Sequence, residues 1–99
     1  MYGTIARLRI KPGMDAQLEQ MSREQVPEIP GFVFQYVYRL DHDPQEMMLV
    51  VGFTDKESYR RNAESPDQAT RYEQYRALLE REPEWNDGDI LFSMSQNAG

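Results

Sequence analysis

The sequence contains no cysteine, one histidine and one tryptophan among its 99 residues. Without cysteine the chain has no disulfide, no thiolate metal ligand, no iron–sulfur cluster and no cysteine nucleophile. Basic residues are also scarce, because eleven Lys and Arg stand against seventeen Asp and Glu, for a net charge of -6. Nucleic acids and anionic membrane surfaces are bound by clustered positive charge, so this balance predicts neither as a partner.

Long apolar runs are absent as well. The longest, Met47 to Phe53, is far shorter than the roughly 20 residues that a membrane helix needs. Arg7, Arg9 and Lys11 interrupt the N-terminal segment, which is therefore not expected to be a signal peptide. A mean hydropathy of -0.78 fits a soluble protein, and the lack of cysteine fits the cytoplasmic location that we expect. We expect one domain spanning residues 1–99, with a flexible polar tail over 95–99.

The stretch Ile29–Leu40 is the clearest strand in the sequence, because β-branched and aromatic residues follow an opening Pro-Gly step. Side chains alternate across a strand. The alternation predicts one aromatic face, made of Phe32, Phe34, Tyr36, Tyr38 and Leu40. We expect helices to cover that face, while the opposite face is of mixed polarity.

The remaining elements follow from periodicity and from the turn residues between them. Further strands are predicted at 2–10, 46–53 and 89–94, and helices at 14–26, 55–64 and 66–81. The loop Glu84–Gly88 precedes the last strand. The order β-α-β-β-α-β predicts an α+β, ferredoxin-like fold, in which a four-stranded antiparallel sheet carries its helices on one face.

The third predicted strand, Glu46–Phe53, is apolar at nearly every position. A strand that is apolar on both faces is buried on both faces. Since helices can cover only one side of this small sheet, we expect a second copy of the chain to cover the other, giving a homodimer.

Three segments together carry a resemblance to a known family. They are the first strand running into Lys11-Pro12-Gly13, the helix end at Ile29-Pro30-Gly31-Phe32, and Phe53-Thr54-Asp55 leading to Asn62-Ala63-Glu64-Ser65-Pro66. Over nearly the whole chain this resembles the antibiotic biosynthesis monooxygenase-like family of dimeric α+β barrels. The resemblance implies a homodimer with two sheets packed face to face, and a pocket in each subunit between sheet and helices.

The family includes cofactor-free monooxygenases for quinol-like or polyketide-like substrates, haem-degrading oxygenases and isomerases. Haem-degrading members carry Asn on the first strand, Trp on the short helix and a haem-ligating His on the next helix. The matching positions here are Ala6, Asn62 and Tyr72, and all three differ. The substitutions argue against haem degradation.

Asn62 and Tyr72 are the candidate catalytic residues, because both fall on predicted inward stripes on either side of the Ser-Pro break. An amide and a phenol could hydrogen-bond a phenolate or carbonyl oxygen. The alternative is a helix-terminus amide and a core tyrosine whose hydroxyl reaches solvent.

Five further residues are candidates for substrate contact: Met21, Phe34, Tyr36, Tyr75 and Trp85. Core packing is the simpler explanation for the tyrosines and Phe34, and Trp85 could be a loop aromatic or a lid. His42 lies in a predicted hairpin turn, where a solvated histidine is expected rather than a base. We predict no metal site and no cofactor.

Two functions from different classes therefore remain open. The first is a cofactor-independent monooxygenase, or related small enzyme, acting on an aromatic, quinol-like or polyketide-like substrate between sheet and helices. The second is a non-catalytic dimeric protein that binds a small apolar or aromatic molecule or serves in stress. Haem degradation ranks below both.

Overall fold

The computed structural model describes residues 1–96. Four strands and three helices follow one another in the predicted order. In chain order they are β1 (Tyr2–Arg9), α1 (Asp15–Gln25), a 3-10 turn (Val26–Glu28), β2 (Phe32–Arg39), β3 (Glu46–Phe53), α2 (Lys56–Ala63), α3 (Pro66–Arg76) and β4 (Glu84–Asp89).

The strands form one antiparallel sheet in the order β2-β3-β1-β4. This is the ferredoxin-like arrangement that the sequence predicts. Along β1, Thr4, Ala6 and Leu8 are buried on the helix side, whereas Ile5 and Arg7 are exposed on the opposite side, which we call the open face.

The helices begin and end for local reasons. Asp55 caps α2, because its side chain accepts a bond from the Ser58 backbone N–H, and Ser65 caps α3 through Gln68. The helix predicted to reach Arg81 ends at Arg76. Beyond it the backbone turns toward the end of β1, where the Lys11 N–H donates a hydrogen bond to the Leu78 carbonyl oxygen. No helix within residues 1–96 is long and apolar enough to cross a membrane.

A bulge in β2 places part of that strand's side chains on the face opposite to the one predicted. Phe32 pairs with Phe53, but Phe34 pairs with Gly52, so the register shifts at Val33. Beyond the shift Phe34, Tyr36 and Tyr38 share the open face, and the face assignment made from strict alternation is wrong for them. Gly52 agrees with this placement, since a Cβ there would collide with the Phe34 ring.

The C-terminal strand lies earlier than predicted. Glu84–Asp89 forms β4 on the edge of the sheet, where Trp85 pairs with Ala6. The Asn-Asp-Gly sequence in this segment is therefore part of a polar edge strand and not a turn. Residues 90–96, which include most of the predicted strand, are irregular. Of the predicted tail 95–99, residues 97–99 lie outside the described residues.

The main core lies at one end of the helix side. Its buried members come from β1 and the residue after it, from α1, from β3 and from the segment after α3, and they are Ala6, Leu8, Ile10, Leu18, Met47, Leu78 and Leu79. Met21 of α1 packs against this cluster. At the other end Val26, Ile29 and Phe53 form a smaller cluster against which Tyr59 packs. Between the two clusters the packing is incomplete.

Candidate functional site

A cavity of about 350 Å³ lies between the helix side of the sheet and the α2–α3 pair. Its walls are mostly aliphatic and aromatic, with Leu49, Val51 and Phe53 from β3 facing α2 and α3. A few polar side chains enter it from several elements. Such a volume, with an apolar lining and few polar groups, is typical of small-molecule sites in proteins.

A second depression, of about 540 Å³, lies between α1 and β2. It is the larger of the two, but charged side chains such as Asp15, Glu19 and Arg39 line much of it. Arg39 and Asp15 form an ion pair there. Since these groups already satisfy one another beside solvent, the smaller apolar cavity is the better candidate for a site.

The cavity brings together four of the seven residues chosen from the sequence. Asn62, Tyr72, Tyr75 and Trp85 line it. The other three do not line it, because Met21 belongs to the packed core and the bulge turns Phe34 and Tyr36 to the open face.

Asn62 stands at the C-terminal turn of α2 and is held in place by two side chains of α3. Its Oδ1 accepts a hydrogen bond of 2.7 Å from an Nη of Arg71, and its Nδ2 donates one of 3.3 Å to Gln68 Oε1. Arg71 Nε also donates to Gln68 Oε1 at 3.1 Å. The three side chains close a ring, which we call the amide–arginine triad. One amide hydrogen of Asn62 remains for a ligand.

Tyr72 is engaged differently. Its hydroxyl donates to a carboxylate oxygen of Glu82, and Arg76 Nε donates to the other oxygen at 3.0 Å. The bond to Glu82 raises the pKa of Tyr72, and the same bond lowers the pKa of Glu82, with Arg76 adding to the effect. The Tyr72 hydroxyl donates its hydrogen to Glu82, and the lone pairs of its oxygen can still accept a hydrogen bond from a ligand.

A further polar group in the cavity, the pair Tyr59 and Asp87, was not expected from the sequence. Tyr59 of α2 donates a 2.8 Å hydrogen bond to Asp87 Oδ1 of β4, and both residues line the cavity. Burial, and then this bond, raise the pKa of Tyr59 well above its ordinary value. Tyr59 therefore remains a phenol and a donor. A carboxylate offers about four acceptor positions, so Asp87 can accept a further proton or hydrogen bond.

Tyr75 closes the cavity toward α1. Its hydroxyl shares a 2.7 Å hydrogen bond with Ser22, and burial raises its pKa. The positive charge of Arg71 acts on the same phenol in the opposite direction. Tyr75 is therefore a fixed wall of the cavity whose hydroxyl is already satisfied.

Among the polar cavity residues that were not selected from the sequence are Tyr59, Gln68, Arg71 and Asp87. A strand interpretation of 84–89 would have placed Trp85 and Asp87 on one face, two residues apart. Arg71 could have been found from its position beside Tyr72 and three residues after Gln68, which is one helical turn. Tyr59 lies one helical turn before Asn62 in α2.

His42 is exposed in the turn between β2 and β3, away from the cavity. Among residues 1–96, no three side chains of the types that bind metal ions are grouped as a metal site. The polar groups that line the cavity include amides, phenols, the Arg71 guanidinium and the Asp87 carboxylate.

Comparisons with known proteins identify the fold. No protein-family model and no curated protein matches the sequence. Among solved structures, SnoaB, a cofactor-independent oxygenase from Streptomyces nogalater, matches with a TM-score of 0.78 at 17% identity, over 96% of this chain and 97% of that one. An antibiotic biosynthesis monooxygenase matches at 0.71 and 15% identity, over 92% and 99%.

A protein of unknown function from Nitrosomonas europaea is similar as well, with a TM-score of 0.70 at 19% identity, over 99% of this chain and 95% of that one. These identities are low, but the structures superpose over almost the full length of each chain. The chain therefore has the ferredoxin-like fold of the antibiotic biosynthesis monooxygenases.

Proposed function

We propose that the chain is a cofactor-independent monooxygenase of the antibiotic biosynthesis type, acting on a flat aromatic or polyketide-like substrate that carries an ionisable phenol or enol. The observation that carries the proposal is the apolar cavity with the amide–arginine triad in its wall. The similarity to SnoaB in fold supports it.

In this mechanism the substrate itself supplies the electrons. Once ionised, an electron-rich ring can pass electrons to dioxygen, so the protein must bind it, exclude water and stabilise the oxyanion. The aliphatic wall of β3 would bind the rings. Asn62, which keeps one free amide hydrogen, would donate to the oxyanion.

The proton that the substrate loses needs an acceptor, and Asp87 is our candidate. The carboxylate lines the cavity, and Tyr59 orients it through a 2.8 Å hydrogen bond. A base must reach the proton it removes directly or through one water. Tyr72, whose proton is donated to Glu82, would accept a bond from a second substrate hydroxyl.

Anthrone is a suitable probe, because its ring CH2 is oxidised to a carbonyl. One atom of dioxygen enters as that carbonyl oxygen, the other leaves with the two hydrogens as water, and the four electrons come from the CH2 group. We expect one dioxygen consumed per anthraquinone formed, with one atom of ¹⁸O in the product. Oxygen uptake no faster than with heat-inactivated protein would reject the proposal.

Asn62→Ala should lower turnover about 100-fold, as expected for the loss of one donor to a developing oxyanion, about 3 kcal/mol. Gln17→Ala removes an amide from the exposed side of α1 and is the matched control. Asp87→Asn should slow oxidation of anthrone while leaving its binding intact. Saturable binding of anthrone without turnover would instead favour the non-catalytic binding protein.

The proposal includes a homodimer formed through the open face. That face is apolar at Ile5, which is 47% exposed, and at Tyr36, which is 57% exposed. Beyond β4 the side chains of Leu91, Phe92 and Met94 are 76–89% exposed. Since Ile90 already lies over Gly52 on the open face, a second copy could cover these side chains together with the sheet.

A further inference from the structure

Arg71 differs from the other partly buried arginines of the described chain. The other two are Arg9 and Arg76. Arg9 contacts the carboxylates of Asp43, Glu46 and Glu80, and Arg76 contacts that of Glu82. The bonds of Arg71 within residues 1–96 go to two neutral amides. Its charge is therefore held in position without being neutralised.

Arg71 has no carboxylate partner within the described residues, although acidic residues outnumber basic ones in the sequence. The chain has a net charge of -6. Asp67 stands four residues earlier on α3, at the spacing of a helical ion pair. The two side chains nevertheless form no ion pair within 4 Å in the described structure, and Arg71 lies instead against Asn62 and Gln68, along the cavity wall.

The geometry leaves the guanidinium able to bind a ligand. A guanidinium has five N–H donors, and the triad uses two of them. A cation in an apolar cavity is costly unless an anion pairs with it. The planar fork of arginine fits a carboxylate in a bidentate manner. The charge also acts inside the cavity, since it lowers the pKa of the Tyr75 phenol against the effect of burial.

We propose that Arg71 is an anion-binding residue of the cavity and that the preferred ligand is an aromatic acid, whose rings contact the apolar wall and whose carboxylate binds the guanidinium. The inference rests on the proposed function in using the same cavity, and it names the substrate class. Asn62 and Gln68 are the positioning residues that direct the guanidinium.

The test compares two probes of nearly equal shape, 2-naphthoate and the neutral 2-naphthamide, by isothermal titration calorimetry. Wild-type protein should bind 2-naphthoate about tenfold or more tightly than 2-naphthamide, as expected for a charge-assisted hydrogen-bonded pair. Arg71→Gln should reduce that ratio to about one without changing the affinity for 2-naphthamide. Arg71→Lys should keep part of the preference.

Arg60→Gln is the matched control, because Arg60 is exposed on α2 and does not line the cavity. It removes the same charge and should leave the ratio unchanged. Equal binding of the two probes by wild-type protein, no binding of either, or loss of the ratio in Arg60→Gln would overturn the inference. The anthrone assay is independent of this ratio, so failure of the oxygenase proposal and failure of the anion site are distinguishable.

Discussion

The two faces of the sheet have different coverings within one chain. On the helix side, α1 and the α2–α3 pair bury Ala6 and Leu8 and leave an apolar cavity near Asn62. On the open face Ile5 and Tyr36 are exposed, although Ile5 lies on the same strand as Ala6 and Leu8. The chain by itself therefore completes one apolar layer and leaves a second one uncovered. The completed layer is where ligand chemistry is expected, and the uncovered layer is where association is expected.

The largest effect should follow a charge placed at the centre of the open face. Val50 pairs with Ile5 on one side and Tyr36 on the other. Val50→Glu should convert the proposed homodimer to a monomer, because an unpaired carboxylate in the interface costs about 3 to 5 kcal/mol. Sedimentation velocity at micromolar concentration measures the change.

Val37→Glu is the matched control, because Val37 lies on the other side of β2, paired with Leu49, and is 41% exposed. It should leave the association state unchanged. A stable interface should bury roughly 2,000 Å² in total. A monomeric wild-type protein, or equal effects of the two variants, would contradict the assignment of the open face.

The next effect should come from the core of the helix side. Leu79 is 1% exposed. Leu79→Ala should lower the free energy of unfolding by about 2 to 5 kcal/mol, since it leaves a cavity beside the one already present. Urea unfolding of the Val50→Glu monomer separates this effect from association. In the same background Leu91→Ala, at an exposed position, should change stability by less than about 0.5 kcal/mol.

The smallest effect concerns the cap of α2, the helix that carries the cavity residues Tyr59, Asn62 and Ala63. The Ser58 backbone N–H donates to Asp55 at 2.7 Å and holds the pKa of that carboxyl below its usual value. A lowered folded-state pKa gives stability that is fully present above the unfolded-state value, about pH 4, and is lost as pH falls through the folded value.

Asp55→Asn should therefore show a smaller fall in melting temperature than wild type between about pH 5 and pH 2. The pKa values of Asp43 and Glu82 are lowered as well, and both carboxyls contribute to the acid response of both proteins, so the difference between the two curves is the informative quantity. A difference that is constant with pH would show that the carboxylate charge of Asp55 does not stabilise the cap.

Much of the fold could be predicted because its rules are local. Periodicity within the segments, and the Lys-Pro-Gly and Ser-Pro steps between them, predicted elements that the structure contains. The faces of β2 could not be predicted, because one extra residue at Val33 reverses the alternation and nothing in the residue types marks it.

The site was partly predictable for the same reason. Asn62, Tyr72 and Tyr75 lie on helices whose inward stripes follow from periodicity. Asp87 lies on an edge strand of polar composition, which resembles a loop in sequence. Its contact with Tyr59 spans 28 residues and depends on the pairing of β4 with β1, which no local pattern encodes.

The central claim is that the cavity between the sheet and the α2–α3 pair binds a flat aromatic molecule. The fluorescence of Trp85 tests this claim most directly. Trp85 is the single tryptophan of the chain, lines the cavity and is 49% exposed, so its emission reports occupancy. Titration with anthraquinone, followed at the tryptophan emission, should give saturable quenching in the wild-type protein. Ala63→Phe should fill part of the cavity with a ring and raise the anthraquinone concentration for half-maximal quenching at least tenfold. Phenylalanine is used because a second tryptophan would add its own emission. Quenching that is linear and unsaturable, or equal in both proteins, would contradict the account.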